Sequence, residues 1–180
     1  MIELAEGVGK GGADACPIAY DAGKAAEAAK IGEGIETGAA GAEAGEPVAT
    51  AKGGRTTDPQ EAWAGKPGGL ISCSYHVGGE DLTVHTVGTE AGSATNYLLP
   101  TAQYAGGMSF EDVKAFGTKA TDAKPGEPVA SKGGNVVSVR FDSGGKGDVA
   151  LLVTVGEDDK SALKPEQVLE LARTFASQAK

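Results

Sequence analysis

The sequence predicts an α+β protein in which an antiparallel sheet of about six strands is covered by helices. Three observations lead to this prediction: two stretches with the pattern of β-hairpins, an amphipathic C-terminal segment, and an internal repeat of a strand motif. Large apolar side chains are scarce, since Leu, Ile, Val and Phe together make up 33 of 180 residues. They cluster in a few stretches, so we expect one small core in a single domain over residues 16–180.

The first third of the chain is the poorest in core-forming residues. Residues 1–15 are expected to be a flexible N-terminus, followed by an Ala-rich helix over 17–31 that starts or is interrupted near Gly23. Residues 32–66 contain eight glycines but only three large apolar residues, which are Ile35, Val48 and Trp63. A segment this poor buries too little surface to offset its ordering entropy, so it is interpreted as a loose excursion with one short strand near 46–50.

The clearest hairpin covers residues 70–87. Its first strand alternates apolar with polar residues, the period of a half-buried strand, and the apolar positions are Ile71, Cys73, Tyr75 and Val77. Gly78-Gly79 permits the positive φ angles that a two-residue turn requires. This turn places Tyr75 opposite Leu82 on one apolar face, and moving the turn by one residue keeps the same faces.

Further elements follow along the chain. A short helix is expected over Phe110–Gly117, with Phe110, Val113 and Phe116 on the face toward the core and Gly117 as its C-cap. A second hairpin covers 135–155 around a Gly-rich loop at 143–147, and its apolar face carries Val137, Val139, Phe141, Val149, Leu151, Val153 and Val155. The C-terminal helix begins at Pro165, and apolar residues then recur at helical spacing, as Val168, Ala172 and Phe175 do.

A five-residue motif occurs twice. Gly-Glu-Pro-Val-Ala within 45–54 recurs within 126–134, and each copy follows a helical stretch and precedes a hairpin. The hairpins align as well, with Tyr75 matching Phe141 and Asp81-Leu82 matching Asp148-Val149. Two interpretations stand at this point: a duplicated helix–strand–hairpin unit, or a coincidence in a chain rich in Gly and Ala.

Charge and motifs exclude several functions. The chain has 3 Arg and 13 Lys against 25 acidic residues, so no nucleic-acid partner is expected, because binding phosphates requires cations. No run of about 18 apolar residues is present, so no transmembrane segment is expected. Residues 7–12 fit GxGxxG but lack the preceding strand that a dinucleotide site needs, and no cofactor is expected.

Cys16 and Cys73 are the two cysteines. In a reducing compartment they would be small apolar residues, whereas in an oxidising one an even count suggests a bridge. Closing this 58-residue loop would stabilise the fold by roughly 4 kcal/mol in the chain-entropy model. For a chain with so few large apolar residues this is a large gain, so we predict a Cys16–Cys73 disulfide.

The order of these features resembles that of secreted or lipid-anchored extracytoplasmic domains of actinobacteria. The resemblance rests on Cys16-Pro17 before a helix, on Cys73-Ser74-Tyr75 in a strand, and on a Val-x-x-Phe-Gly-x-x-Ala segment at 113–120. The chain is also similar in style to the extracellular sensor domain of a mycobacterial protein kinase. The resemblance implies a sheet with packed helices, a bridged cysteine pair, a location outside the membrane, and binding or sensing without a shared catalytic motif.

The chain departs from this pattern in two places. Tyr75 stands where such domains often have Trp, and Cys16 has no apolar leader, so it is interpreted as half of a bridge and not as a lipid anchor.

The two histidines are the weak candidates for metal binding or catalysis. His76 and His85 lie on the polar face of the first hairpin, with Asp81 near His76. Such a group could share a metal ion or form a pH-sensitive patch, but both histidines could equally be ordinary solvated residues of the sheet face. No metal site is therefore predicted.

An apolar, aromatic stretch is the candidate for ligand or partner binding, and it contains Tyr97, Leu98, Leu99 and Tyr104. It either caps the sheet or lines a groove for a ligand.

Together these observations predict a non-catalytic extracytoplasmic binding or sensing module of the bacterial cell envelope. Its partner is expected to be an envelope protein or a small ligand, and the chain is expected to be a monomer. Two alternatives are a secreted enzyme that uses His76 or His85 without a recognisable motif, and a structural accessory protein of the envelope.

Overall fold

The computed structural model describes residues 1–55, 67–90, 94–142, 144, 147–157 and 160–179. Within this part the chain forms five helices and one antiparallel seven-stranded sheet, which confirms the predicted α+β class. The helices are α1 (Ile2–Val8), α2 (Ala22–Ala28), α3 (Ala94–Ala105), α4 (Phe110–Asp122) and α5 (Pro165–Gln178). The strands are β1 (Glu36–Thr37), β2 (Ala49–Gly54), β3 (Gly68–Val77), β4 (Glu80–Thr89), β5 (Pro128–Ala130), β6 (Val136–Phe141) and β7 (Asp148–Val155).

The sheet consists of two halves that meet in the middle. Its order is β1–β3–β4–β7–β6–β5, and β2 also pairs with β3, on the same side as β1. We call β2–β3–β4 the first half and β5–β6–β7 the second half. The antiparallel pairing of β4 with β7 joins them, and we call this pairing the central seam.

Both predicted hairpins are present, and the first has the register predicted for a Gly78-Gly79 turn. In the first, Gly78-Gly79 forms the turn, Gly78 has φ 58°, and Tyr75 faces Leu82. In the second, Phe141 faces Val149. Tyr75 and Phe141 therefore occupy equivalent positions, as the internal alignment predicted.

The repeated five-residue motif also has equivalent neighbours, with one difference. Each copy supplies residues to an edge strand that pairs with the first strand of the next hairpin. Ala49 faces Cys73, whereas Ala130, its counterpart, faces Val137 and not Val139, the counterpart of Cys73. The second edge strand is thus displaced by two residues, which keeps each side chain on the same face because strand side chains alternate with period two.

Each face of the sheet has its own core. We call the face that carries Cys73 the disulfide face; α2 and α5 pack over it, and its buried strand residues include Ile71, Tyr75, Leu82, Val84, Val137, Val139, Leu151 and Val153. The opposite face is covered by α3 and α4, whose Leu98 and Phe116 pack with Val136 and Leu152. Val136 and Leu152 thus give the second hairpin an apolar second face, and helices cover both of its sides.

Three helices begin at an N-cap side chain or at a proline. Asp21 caps α2, since its Oδ1 accepts the N–H of Lys24 at 2.8 Å. The helix therefore starts next to Gly23, which was one of the two options predicted, and it ends at Ala28, before residue 31. Ser109 caps α4 in the same way, accepting the N–H of Asp112. Pro165 is the first residue of α5, as predicted.

Helix α4 corrects two sequence predictions. It continues to Asp122, so Gly117 is not a C-cap but an interior residue, and a Cβ there would lie 3.0 Å from the methyl groups of Leu99. Phe110, predicted to face the core with Val113 and Phe116, is 76% exposed.

The N-terminus is a packed helix in place of the flexible segment predicted for residues 1–15. Helix α1 buries Ala5 and Val8 and lies over glycines that face one another across β2, β3 and β4, namely Gly53, Gly69 and Gly88. A Cβ on Gly69 would approach the Ala5 Cβ to 2.9 Å, and one on Gly88 would approach the Met1 Cβ to 2.7 Å. Only a strand row without side chains lets α1 approach this closely.

The predicted loose excursion at 32–66 is partly structured. It contributes β1 and β2, and β2 covers Ala49–Gly54, a few residues later than the strand predicted near 46–50. Trp63 and the rest of 56–66 lie outside the described residues.

Candidate functional site

The predicted disulfide between Cys16 and Cys73 is present. Cys73 is fully buried in the middle of β3, and Cys16 is partly buried in the segment before α2. The bridge therefore fastens the N-terminal segment to the disulfide face.

Two tyrosines complete this attachment. The ring of Tyr20 meets that of Phe175 edge-on, with centroids 5.3 Å apart, and its hydroxyl lies 2.6 Å from the Thr86 Oγ1. The ring of Tyr75 stacks on that of Phe175, with the two centroids 5.9 Å apart. Burial raises the pKa of Tyr75 to about 12 and that of Tyr20 further, so both phenols stay neutral. They act in packing and hydrogen bonding, not as acids.

His76 is held by the neighbouring edge strand. Its Nδ1 lies 3.0 Å from the carbonyl oxygen of Gly38, and its Nε2 lies 3.5 Å from the Glu36 carboxylate. Asp81 is directly opposite His76 in the register, but its Oδ1 accepts the N–H of Ala40 at 2.6 Å. This cluster links β1 and the following loop to the first hairpin.

His85 forms a separate pair with a serine. The Ser72 Oγ lies 2.8 Å from the His85 Nδ1 across β3 and β4. Desolvation, with a smaller contribution from the charge of Lys52, lowers the pKa of His85 to about 4, so the imidazole is neutral at pH 7.

The two histidines are not brought together. Ser72, opposite His85, is four residues from His76 along β3, which separates the two sites by about 13 Å. Among the residues described, no group of three or more His, Cys, Asp or Glu residues is placed to hold a metal ion.

The aromatic stretch, for which a cap on the sheet and a groove were both considered, forms helix α3. Its members lie on different sides of α3: Leu98 is 1% exposed in the core, Leu99 packs on Gly117, and Tyr104 is 81% exposed. These residues therefore do not line one common groove, and the alternative that the stretch caps the sheet describes Leu98 and Leu99 correctly. The helix forms although Pro100 lies inside it.

A groove that the sequence did not predict lies at the end of the second hairpin. It measures about 850 Å³ and lies between the disulfide face and the C-terminal turns of α5. Its apolar lining comes from Phe141 and Val149 on the sheet and from Ala176 on the helix. We call this space the Phe141 groove.

Among the described residues that line the Phe141 groove, the charged groups are one guanidinium and one carboxylate. Arg173 is exposed on α5 and forms an ion pair with Glu170, with 3.2 Å between nitrogen and oxygen. Asp142 lies on the other side of the groove, and its Oδ1 accepts the N–H of Gly144 at 3.0 Å within its own loop.

Two smaller grooves lie on the same face of the sheet, one next to the Phe141 groove and one beside Tyr75. One of about 590 Å³ shares Val149 with the Phe141 groove and continues past Gly88 to Met1. Another of about 610 Å³ lies beside Tyr75 in the first half, between Tyr20 and β1, and is bordered by Asp14 and Asp21. Tyr75 and Phe141 are equivalent residues, so the two halves carry a groove at matching positions.

In the first half, the disulfide-bonded N-terminal segment lies beside Tyr75, which is buried. In the second half, no described segment bonded to β6 or β7 by a disulfide takes that place, and the larger groove results.

The sequence carried a weak signal for the Phe141 groove. Phe141 and Val149 were predicted on the apolar face of the second hairpin, but nothing indicated that α5 leaves them partly exposed. The internal alignment of Phe141 with Tyr75 pointed to the correct place without indicating an opening.

Comparisons of the chain with protein-family models, with curated proteins and with solved structures find no match. The similarity to actinobacterial extracytoplasmic domains therefore remains a prediction. Within the described residues, no helix is long and apolar enough to cross a membrane.

Proposed function

We propose that the protein is a non-catalytic extracytoplasmic binding module of the bacterial cell envelope, and that its ligand is a small molecule held in the Phe141 groove. The observation that carries this proposal is a groove of about 850 Å³ with an apolar floor of Phe141, Val149 and Ala176. Ligand sites are typically concave, mainly apolar and supplied with a few polar groups. Arg173 and Asp142 provide such groups at the edges.

The disulfide supports the proposed location. A bridge between a fully buried cysteine and the N-terminal segment persists in an oxidising compartment and is rare in a reducing cytosol. It is compatible with an extracytoplasmic protein, and the resemblance to actinobacterial envelope domains adds the more specific assignment to a cell envelope.

The Ser72–His85 pair is the observation that favours the alternative of an enzyme, since a serine beside an imidazole is one requirement of acyl transfer. Two features argue against it. A pKa near 4 makes His85 a weak base at neutral pH, and the backbone N–H groups of paired strands are used by their neighbours, not free to stabilise an oxyanion. Labelling with a fluorophosphonate tests this alternative, and modification of Ser72 would support it.

Binding of an uncharged fluorescent probe tests the proposed function. N-phenyl-1-naphthylamine, whose emission rises in apolar surroundings, should bind the protein and should bind the Ser177→Phe variant at least fivefold more weakly. Ser177 is exposed and lines the groove, so a phenyl group there can occupy it. The matched control is Ala115→Phe, an exposed position on α4 at the opposite face, which should leave binding unchanged.

Thermal unfolding of both variants shows whether each is folded. No increase in emission with the unmodified protein, or equal binding by both variants, would contradict the proposed function.

A further inference from the structure

Resting on the proposed function, we propose that the ligand of the Phe141 groove is a long-chain alkyl carboxylate. Its chain lies along the apolar floor over Val149, and its carboxylate is bound by the guanidinium of Arg173. The juxtaposition of the apolar floor with the guanidinium of Arg173 leads to this assignment. The second groove has its own guanidinium, Arg55, but this group is paired with Glu6 and shares the groove with Glu3 and Glu90.

The floor continues beyond the Phe141 groove. Phe141 and Val149 face one another in the register, and Val149 also lines the smaller groove that reaches Met1. The row ends at Gly88, where the Met1 side chain is packed against the strand. Neighbouring strands are about 4.8 Å apart, so an extended chain can lie over Phe141 and Val149 and continue into the smaller groove beside Met1.

Arg173 is available for a second acceptor. Its partner Glu170 is an exposed residue on the same helix, and such surface pairs contribute little to stability. A guanidinium has five N–H donors and binds a carboxylate through two of them, so Arg173 can bind the ligand without losing Glu170. Among the described residues that line the Phe141 groove, Arg173 is the only cation.

The nearby acidic groups restrict the charge of the head group. Glu170 pairs with Arg173 and Asp142 lies across the groove, so a phosphate monoester, with about −1.5 to −2 charges, would be repelled more strongly than a carboxylate. A cationic head would lose the guanidinium contact and meet its repulsion. A single negative charge therefore fits best.

A series of ten-carbon ligands tests the assignment. Decanoate, decanol, decyl phosphate and decyltrimethylammonium are compared by displacement of N-phenyl-1-naphthylamine and by calorimetry at one ionic strength. Decanoate should bind about five- to tenfold more tightly than decanol, because a charge-assisted hydrogen bond at a partly exposed site adds about this factor. The other two ligands should bind more weakly than decanoate.

Three variants locate the head group. Arg173→Gln should reduce decanoate affinity to that of decanol while leaving decanol binding unchanged. Asp142→Asn should raise decanoate affinity about two- to threefold, because it removes a like charge. Lys114→Gln, at an exposed position on the opposite face, is the control for net charge and should have no effect.

The outcomes separate this assignment from the proposed function. If decanol binds as tightly as decanoate, or if Arg173→Gln leaves the preference intact, the carboxylate assignment is overturned while groove binding stands. Tighter binding of decyl phosphate would also overturn it. If neither the probe nor any ten-carbon ligand binds, the proposed function itself fails.

Discussion

The two halves of the sheet share a strand register but differ in how their equivalent faces are covered. Tyr75 and Phe141 are equivalent, and each faces an apolar partner on the next strand. Around Tyr75, the N-terminal segment is fastened by Cys16 and packed by Tyr20. Beside Phe141 lies the larger groove, of about 850 Å³ against about 610 Å³ beside Tyr75. The comparison teaches that covering segments, and not the strands, determine where this fold can hold a ligand.

Removing the disulfide should have the largest effect, and it should be confined mainly to the first half. The Cys16→Ala/Cys73→Ala variant should lose about 4 kcal/mol of unfolding free energy, because the open chain regains the entropy of a 58-residue loop. Urea unfolding measures the loss, and hydrogen exchange locates it. Faster exchange in α2 than in β6 and β7 would agree with the comparison, whereas uniform acceleration would contradict it.

In the second half, an ion pair attaches helices to the sheet on the face opposite the disulfide face. Arg140 contacts Asp148 at 3.3 Å and also donates to the carbonyl of Thr121, at the end of α4, while the Asp148 Oδ2 accepts the N–H of Ala94, at the start of α3. Asp148→Ala should cost about 2–4 kcal/mol, because it leaves the partly buried guanidinium of Arg140 without this carboxylate and the Ala94 N–H without its acceptor. Glu170→Ala, which breaks the exposed pair with Arg173, is the control and should cost less than about 1 kcal/mol. Equal losses in urea unfolding would contradict this account.

The next feature to test is the packing of α1 on the row of glycines in β2, β3 and β4. Gly69→Ala should destabilise the protein by about 1–3 kcal/mol, because the new methyl group would lie 2.9 Å from Ala5 and from the Met1 carbonyl oxygen. Gly79→Ala, in the hairpin turn with nothing within 4 Å of the added carbon, is the matched control and should be neutral or slightly stabilising. If both variants unfold at the same urea concentration, α1 does not depend on the glycine row.

The smallest expected effect is a loss of stability at acidic pH caused by His85. Because the folded pKa of His85 is about 4 and its usual value is about 6.5, the unfolded chain binds the proton first as the pH falls. Stability should therefore decrease between pH 6.5 and pH 4, with about 1 kcal/mol lost by pH 5.5 from this group. His85→Gln should remove that part of the decrease, as measured by urea unfolding at pH 7 and pH 5.5. An identical pH dependence in the variant would show that His85 does not cause it.

The sequence predicted the parts of the fold that depend on short-range patterns. The alternation of residues 70–77 and the Gly78-Gly79 turn determine the first hairpin and its register, because one face must be buried. The Cys16–Cys73 bridge followed from the number of cysteines and the small core. Helix α3 was missed because Pro100 disfavours a helix interior, and tertiary packing of Leu98 outweighs that local preference.

The open groove could not be predicted in the same way. Phe141 and Val149 have the pattern of ordinary core residues, and their partial exposure depends on where α5 ends relative to the second hairpin. The position of α5 over the second hairpin arises from the packing of elements far apart in sequence. The packing of α1 on the sheet was missed for a related reason, since a row of glycines on three strands is visible only after the strands are paired.

The central seam also determines how the chain is expected to fold. Partners within the first hairpin are at most 21 residues apart, whereas those across β4 and β7 are 59 to 73 residues apart. Because closing a long loop costs entropy before any contact compensates for it, the hairpins should form early and the seam late. The rate of folding should therefore depend on the length and order of the chain between Thr89 and Asp148 more than on either hairpin.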